Sequence, residues 1–215
     1  MQAKDKELLK SIHKGVHKAN RDYSSWSGGE WIRDAGIEGF MVSRIAESIM
    51  ASSEKPGFLT METPFHALCE DLNIRPRGRR PKTFKDTNRI DIALYNKRGH
   101  VSHIIEVKRN WCMKCLDDID RLCQFCKKTE TRKITSVFVM SIAIYVKITN
   151  SKDILDNVFD KYEDIFTSHI NKKNLPYEFS RGTEFCNRLY YGDSEDKTWI
   201  FSSFCILIKP SANSN

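Results

Sequence analysis

Apolar and polar residues alternate along Arg89–Asn96, with Ile90, Ile92 and Leu94 on one side and Asp91, Ala93 and Tyr95 on the other. His100–Arg109 continues the pattern: Ile105 and Val107 fall on one face, and Ile104, Glu106 and Lys108 on the opposite one. Between them, Asn96-Lys97-Arg98-Gly99 has hairpin chemistry, because Asn and Gly tolerate positive φ. The two segments are therefore predicted to pair as an antiparallel hairpin.

A period near 3.6 marks the helices. Leu9, Ile12 and Val16 predict a short one over Lys4–His17, and a second is predicted over Gly29–Ala51. Leu116–Lys128 carries Leu116, Ile119, Leu122, Cys123 and Cys126 on one stripe. Lys152–Lys172 carries Ile154, Leu155, Val158, Tyr162 and Ile165. Phe58–Thr63 and the β-branched run Ile134–Val146 read as strands, the latter buried, and Thr198–Lys209 as a last strand. From Leu175 to that strand no element is legible. With no repeat and no convincing linker, the chain is expected to be one α/β domain over 1–215, built on a mixed sheet.

Composition narrows the class. The chain has 215 residues, 40% hydrophobic and 29% charged, enough to bury a core without staples. No apolar run approaches the roughly 20 residues that span a bilayer; the longest, Ile134–Val146, is broken by Ser136 and Ser141. The charged N-terminal stretch is unlike a secretory signal, and seven cysteines do not suit a disulfide framework. The expectation is a cytoplasmic protein with reduced thiols and no membrane partner.

Charge is distributed unevenly. The net charge is +7, but residues 151–215 sum to −2 and the first 150 to +9. Residues 75–89 hold seven bases and one acid: Arg75, Arg77, Arg79, Arg80, Lys82, Lys85 and Arg89 against Asp86. Such a segment favours a polyanion, of which nucleic acid is the commonest; a solvated loop is the plainer alternative.

A turn centred on 97/98 sets Asp91 across from about Ile104–Ile105, diagonal to Glu106 and within the cross-strand range of about 5–8 Å. Two carboxylates and the Lys108 ammonium then share one face of the hairpin. Carboxylates so close repel unless a proton or cation intervenes. Oxygen ligands with open positions for water and phosphate suit Mg²⁺ or Mn²⁺. A lysine two residues from the second carboxylate is near enough to orient or deprotonate an attacking water, as in metal-assisted phosphodiester hydrolysis. The competing reading is a solvated strand face with one Glu–Lys pair.

The string RIDIALYNKRGHVSHIIEVKRN resembles the PD-(D/E)XK nuclease signature, in which an Asp on one strand precedes, by a hairpin, an apolar strand ending in Glu-X-Lys. The match falls on Asp91, Glu106 and Lys108, with Ile90 where the name-giving form has Pro. The resemblance covers roughly residues 30–146. It implies a restriction-endonuclease-like αβββαβ core, preceded here by an N-terminal helix and followed by an extension over 150–215. It also implies a metal-dependent nuclease, with DNA as the first-choice substrate and Arg75–Arg89 gripping phosphates. Asp91 and Glu106 would hold Mg²⁺ or Mn²⁺ and Lys108 would position the water.

Many such nucleases carry a further acidic residue on the helix before the sheet. At about 100° per residue, Met41, Val42, Ile45 and Ile49 fall within about 60° of Glu38, and Glu47 falls about 180° away. Glu38, on the apolar stripe, needs a partner and is the candidate metal or water support; Glu47 is expected to be solvated. Glu62 resembles an additional acidic metal position, with an edge-strand surface glutamate as its alternative.

Cys112-X-X-Cys115 and Cys123-X-X-Cys126 look like a zinc site, but eight helical residues place Cys115 and Cys123 about 12 Å apart, too far for one ion. Packing is expected instead. His100 and His103 are read as hydrogen-bonding or phosphate-contacting residues, and Trp26, Trp31 and Trp111 as core or rim packing rather than base stacking. Two other functions stay open: a catalytically silent nuclease-like fold that binds DNA, and a phage- or defence-encoded inhibitor using the acidic C-terminal third as a protein interface. A homodimer would suit duplex cutting.

Overall fold

The strands are β1 (Phe58–Pro64), β2 (Arg89–Tyr95), β3 (Val101–Lys108), β4 (Thr135–Lys147), β5 (Tyr177–Cys186) and β6 (Lys197–Ile208). They form one mixed sheet in the order β1-β2-β3-β4-β6-β5, in a computed structural model that describes residues 3–72, 74, 88–129, 133–186 and 197–210. Arg75, Arg77, Arg79, Arg80, Lys82 and Lys85 lie outside the described residues; Arg89 opens β2 with its side chain exposed. The helices are α1 (Ala3–Trp26), α2 (Glu38–Met50), α3 (Phe65–Asp71), α4 (Lys114–Lys128) and α5 (Ser151–Ile170).

β1, β2 and β3 form an antiparallel meander, and α4 carries the chain over to β4, which lies parallel to β3. Parallel neighbours cannot be joined by a tight turn, and here the longer crossover they need is a helix. The acidic last third, which the sequence separates as an extension, is built into the same sheet: β6 pairs with β4 from Lys197–Lys147 to Ile208–Ser136, and β5 covers its far edge.

The sheet is buried on both faces. On one, α1 and α2 contribute Ile12, Val16, Met41 and Ile45 to a cluster with Ile92, Leu94, Ile105 and Val107. On the other, Phe65 of α3, Leu122 and Phe125 of α4, and Phe159 and Phe166 of α5 join Ala93, Ile104, Phe138 and Phe204. Ile90 corrects the alternation read along β2, since it belongs to this second cluster and not to that of Ile92. The strand changes face at Asp91.

Three further differences from the sequence reading have local causes. α1 runs on to Trp26 and stops only where Gly28 and Gly29 adopt φ of +73° and +121°. α2 begins at Glu38 rather than Gly29: residues 31–36 make a separate turn, closed by Ala35 and Gly36 N–H bonds to the carbonyls of Trp31 and Ile32, and it buries both side chains. That turn mimics helical periodicity without joining the helix. Within the hairpin turn only Gly99 takes positive φ; Asn96 acts through its side chain, which accepts N–H bonds from Arg98 and His100 at 2.8 and 3.1 Å. β5 and α3 had no counterpart in the sequence reading.

Candidate active site

The β2–β3 ladder pairs Ala93 with Ile104 and Ile92 with Ile105, which displaces the predicted register toward Glu106, and the hairpin shifts between Leu94 and Tyr95. Asp91 thus stands level with Glu106. Beyond Ile92 the carboxylate of Asp91 takes over from the ladder, accepting the Val107 N–H at 2.6 Å. On its other side β1 pairs Met61 with Ile92 and Thr63 with Ile90, while Glu62 between them is exposed in the left-handed region at φ +53°. Strand irregularities of this kind re-aim side chains.

Lys108 joins the acidic groups. Its ammonium donates to Glu106 Oε1 at 3.0 Å and to Glu38 Oε1 at 3.4 Å, and lies 3.4 Å from Asp118 Oδ2. The second oxygen of Glu38 accepts the Arg109 N–H at 3.3 Å. Glu38 is the first residue of α2, where the helix dipole favours a carboxylate; its side chain is 38% exposed rather than buried on the apolar stripe, and Lys108 and the Arg109 N–H are its partners. Glu47 is exposed and pairs with Lys18 and Arg44 at 2.6 and 2.9 Å.

Two residues that sequence reasoning passed over complete the cluster. From α4, Arg121 Nη2 lies 2.7 Å from Glu106 Oε1 and 2.6 Å from Asp118 Oδ1. The signal was present: Asp118 shares a helical line with Leu122 and Phe125, so the rule that selected Glu38 selects it as well.

Glu106 is 4% exposed. One oxygen receives Lys108 and Arg121; the other is buried and has no hydrogen-bond partner. Burial first, then the negative charge of Asp91, push the Glu106 carboxyl up to about 8. Asp91 is raised to about 6, again mainly by burial, with Glu38 and Glu62 adding to it and the Val107 N–H and Lys108 opposing. Burial works against the charge on Lys108, but Glu106, Asp118, Glu38 and Asp91 outweigh it and hold the ammonium well above the ordinary lysine range. In this setting the ammonium is the favoured form of Lys108 and donates hydrogen bonds.

Comparison with family models, with curated proteins and with solved structures finds no match to this chain. The site is therefore read from its own chemistry. Four carboxylates (Glu38, Asp91, Glu106 and Asp118) face two fixed cations, Lys108 and Arg121. Fully ionised, the cluster carries an excess of two negative charges, which suits a divalent cation. Among the described residues no three His, Cys, Asp or Glu side chains form a group that could hold an ion by themselves. Asp91 and Glu106 supply two neighbouring carboxylates, and any ion held between them would need its other positions filled by water or substrate.

The remaining sequence candidates are accounted for locally. α4 runs unbroken through Cys123 and Cys126, which with Cys115 are buried in the core. His103 is buried, bonded to Ser102 at 3.1 Å and 3.7 Å from Asp5. Trp31 is in the core, Trp111 packs against Tyr162 and Phe166, and Trp26 stays 67% exposed beside Phe40 and Arg44. No helix among the described residues is long and apolar enough to cross a membrane.

Proposed function

We propose that this chain is a metal-dependent nuclease of the PD-(D/E)XK kind, hydrolysing phosphodiester bonds, with DNA as the first substrate to test. The observation that carries the reading is Glu106, whose buried outer oxygen lacks a partner beside a second buried carboxylate, Asp91. A buried carboxylate oxygen without a donor is costly, and a cation is the partner that repays it. The order α2, β1–β3, α4, β4, with β3 and β4 parallel, supports the restriction-endonuclease-like assignment.

Asp91 and Glu106 would hold Mg²⁺ or Mn²⁺; Glu62, exposed on β1, acts on Asp91 through its charge. A hard divalent cation there supplies Lewis acidity toward the phosphodiester. Lys108, whose N–H groups here go to Glu106, Glu38 and the Val107 carbonyl, would release one of these bonds to orient an incoming water or meet charge developing on the phosphate. Glu38 and Asp118 hold that ammonium in place, and Val107 fixes the carboxylate of Asp91. The basic stretch Arg75–Arg89 binds phosphates, which positions the substrate without reading its sequence.

The test is a cleavage assay on labelled duplex, single-stranded and branched DNA and on RNA, with Mg²⁺, Mn²⁺ or EDTA. Cleavage dependent on the metal and lost in Glu106→Ala is the expected result. No cleavage of any substrate with either metal would hand the fold to its binding-only reading.

A further inference from the structure

We propose that the guanidinium of Arg121 is a built-in cation standing where a second metal ion would otherwise sit, so that the chain takes up one divalent cation and not two. The inference rests on the nuclease reading of this site and specifies its metal content.

A single nitrogen of Arg121 lies 2.7 Å from Glu106 Oε1 and 2.6 Å from Asp118 Oδ1. One positive atom between two carboxylates from different elements is the bridging arrangement that a shared ion makes in two-metal sites. The side chain is held there firmly. It is 14% exposed, its guanidinium lies 5.7 Å from the centroid of the Phe65 ring, and Asp118 is one turn earlier on the same helix. Lys108 closes the same side of the cluster, 3.0 Å from Glu106 Oε1 and 3.4 Å from Asp118 Oδ2.

This leaves Glu106 asymmetric. Oε1 is occupied by two fixed cations, and Oε2 is buried without a partner. Only Oε2 is free to join Asp91 around an exchangeable ion. Charge leads to the same count. Four carboxylates and two protein cations leave a deficit that one divalent ion neutralises; a second would leave a positive excess, costly in this largely buried cluster, and removing the Arg121 charge lowers that excess.

The experiment is a titration of the purified chain with Mn²⁺, without nucleic acid, following free Mn²⁺ by its electron paramagnetic resonance signal. Wild type should bind about one ion per chain, in keeping with a small hard-ion site. Arg121→Met removes one of the two cations on Glu106 Oε1 and the one on Asp118 Oδ1 and should bind a second ion, and Arg121→Met/Asp118→Asn should return to the wild-type number. Two ions bound by wild type would overturn the inference while leaving the nuclease reading intact. An Arg121→Met chain that folds yet keeps the wild-type number and affinity would also overturn it. If Arg121→Met does not fold, Arg121→Gln replaces it, and the wild-type count decides by itself. Wild type binding no Mn²⁺ and cutting nothing would remove both readings together.

Discussion

Val107 donates its backbone N–H to the carboxylate of Asp91 at 2.6 Å, at the point where β2 and β3 cease to pair as strands. A side chain here does the work of a ladder carbonyl, and in doing so it fixes the orientation of a candidate metal ligand.

Asp91→Asn keeps an acceptor for Val107 and removes the charge, whereas Asp91→Ala removes both. An unsatisfied buried N–H costs about 1–3 kcal/mol, so the Asn variant should exceed the Ala variant in stability by about that amount. Both should lose Mn²⁺ binding and cleavage. Urea denaturation of the metal-free proteins measures the difference, and equal midpoints would show that this bond carries no weight.

The α1–α2 crossing is set by Gly15, where an added Cβ would lie 2.5 Å from Ile45 Cα and 2.9 Å from the Arg44 carbonyl oxygen. Helix propensity alone favours alanine over glycine by about 1 kcal/mol. Overpacking costs about 1–3 kcal/mol, and here the obstacle is backbone, which cannot rotate away. Gly15→Ala should therefore lower the thermal midpoint; an unchanged or higher midpoint would contradict the close approach.

The hairpin and its acidic face were legible because period-two alternation, an Asn-x-x-Gly turn and Glu-X-Lys are local signals. Ile90 was misread for the opposite reason. Its placement depends on the irregularity at Glu62 and Asp91, which arises between strands. The start of α2 was obscured because Trp31 and Ile32 bury themselves in a turn of helical period. β5 escaped notice as a polar edge strand whose place is decided by pairing with β6. Asp118 lay on the apolar stripe of α4 and Arg121 had no local signal; only the crossover of α4 brings the pair to Glu106.

Binding and cutting should be separable. Glu106→Ala and Lys108→Ala should abolish cleavage with little loss of nucleic-acid affinity, since neither substitution touches the basic segment. Replacing Arg77, Arg79 and Arg80 with alanine should do the reverse. Each lost phosphate contact lowers the slope of log affinity against log salt by about 0.9 on duplex DNA, so the triple variant should lose up to about 2.7. A salt titration in Ca²⁺ measures this slope, and an unaltered slope would exclude those arginines from the phosphate-binding surface.

The metal-free protein should lose stability between pH 6.5 and 8. Glu106 is raised from 4.5 to about 8 by burial and by Asp91, so in this window the folded chain holds a proton that the unfolded chain has released. Stability then falls with pH, by up to about 1.36 kcal/mol per pH unit for each proton. Other groups have their main effect outside the window. His13, lowered by burial to about 4, makes stability rise with pH only up to about its ordinary 6.5. Asp5, lowered first by its bond to His103, acts below its ordinary 3.8. The buried thiols Cys115 and Cys126, raised by burial, lower stability only as pH nears 9. Lys108, raised by its carboxylate neighbours, stays charged throughout and loses its contribution only in strong alkali. Glu106→Gln should flatten the decline, and Mn²⁺ should oppose it in wild type by favouring the ionised carboxylates. Urea midpoints at pH 6.5, 7.2 and 8, with and without Mn²⁺, supply the measurement. A wild-type decline that persists unchanged in Glu106→Gln would assign the lost proton to another group and leave Glu106 ionised in the folded chain.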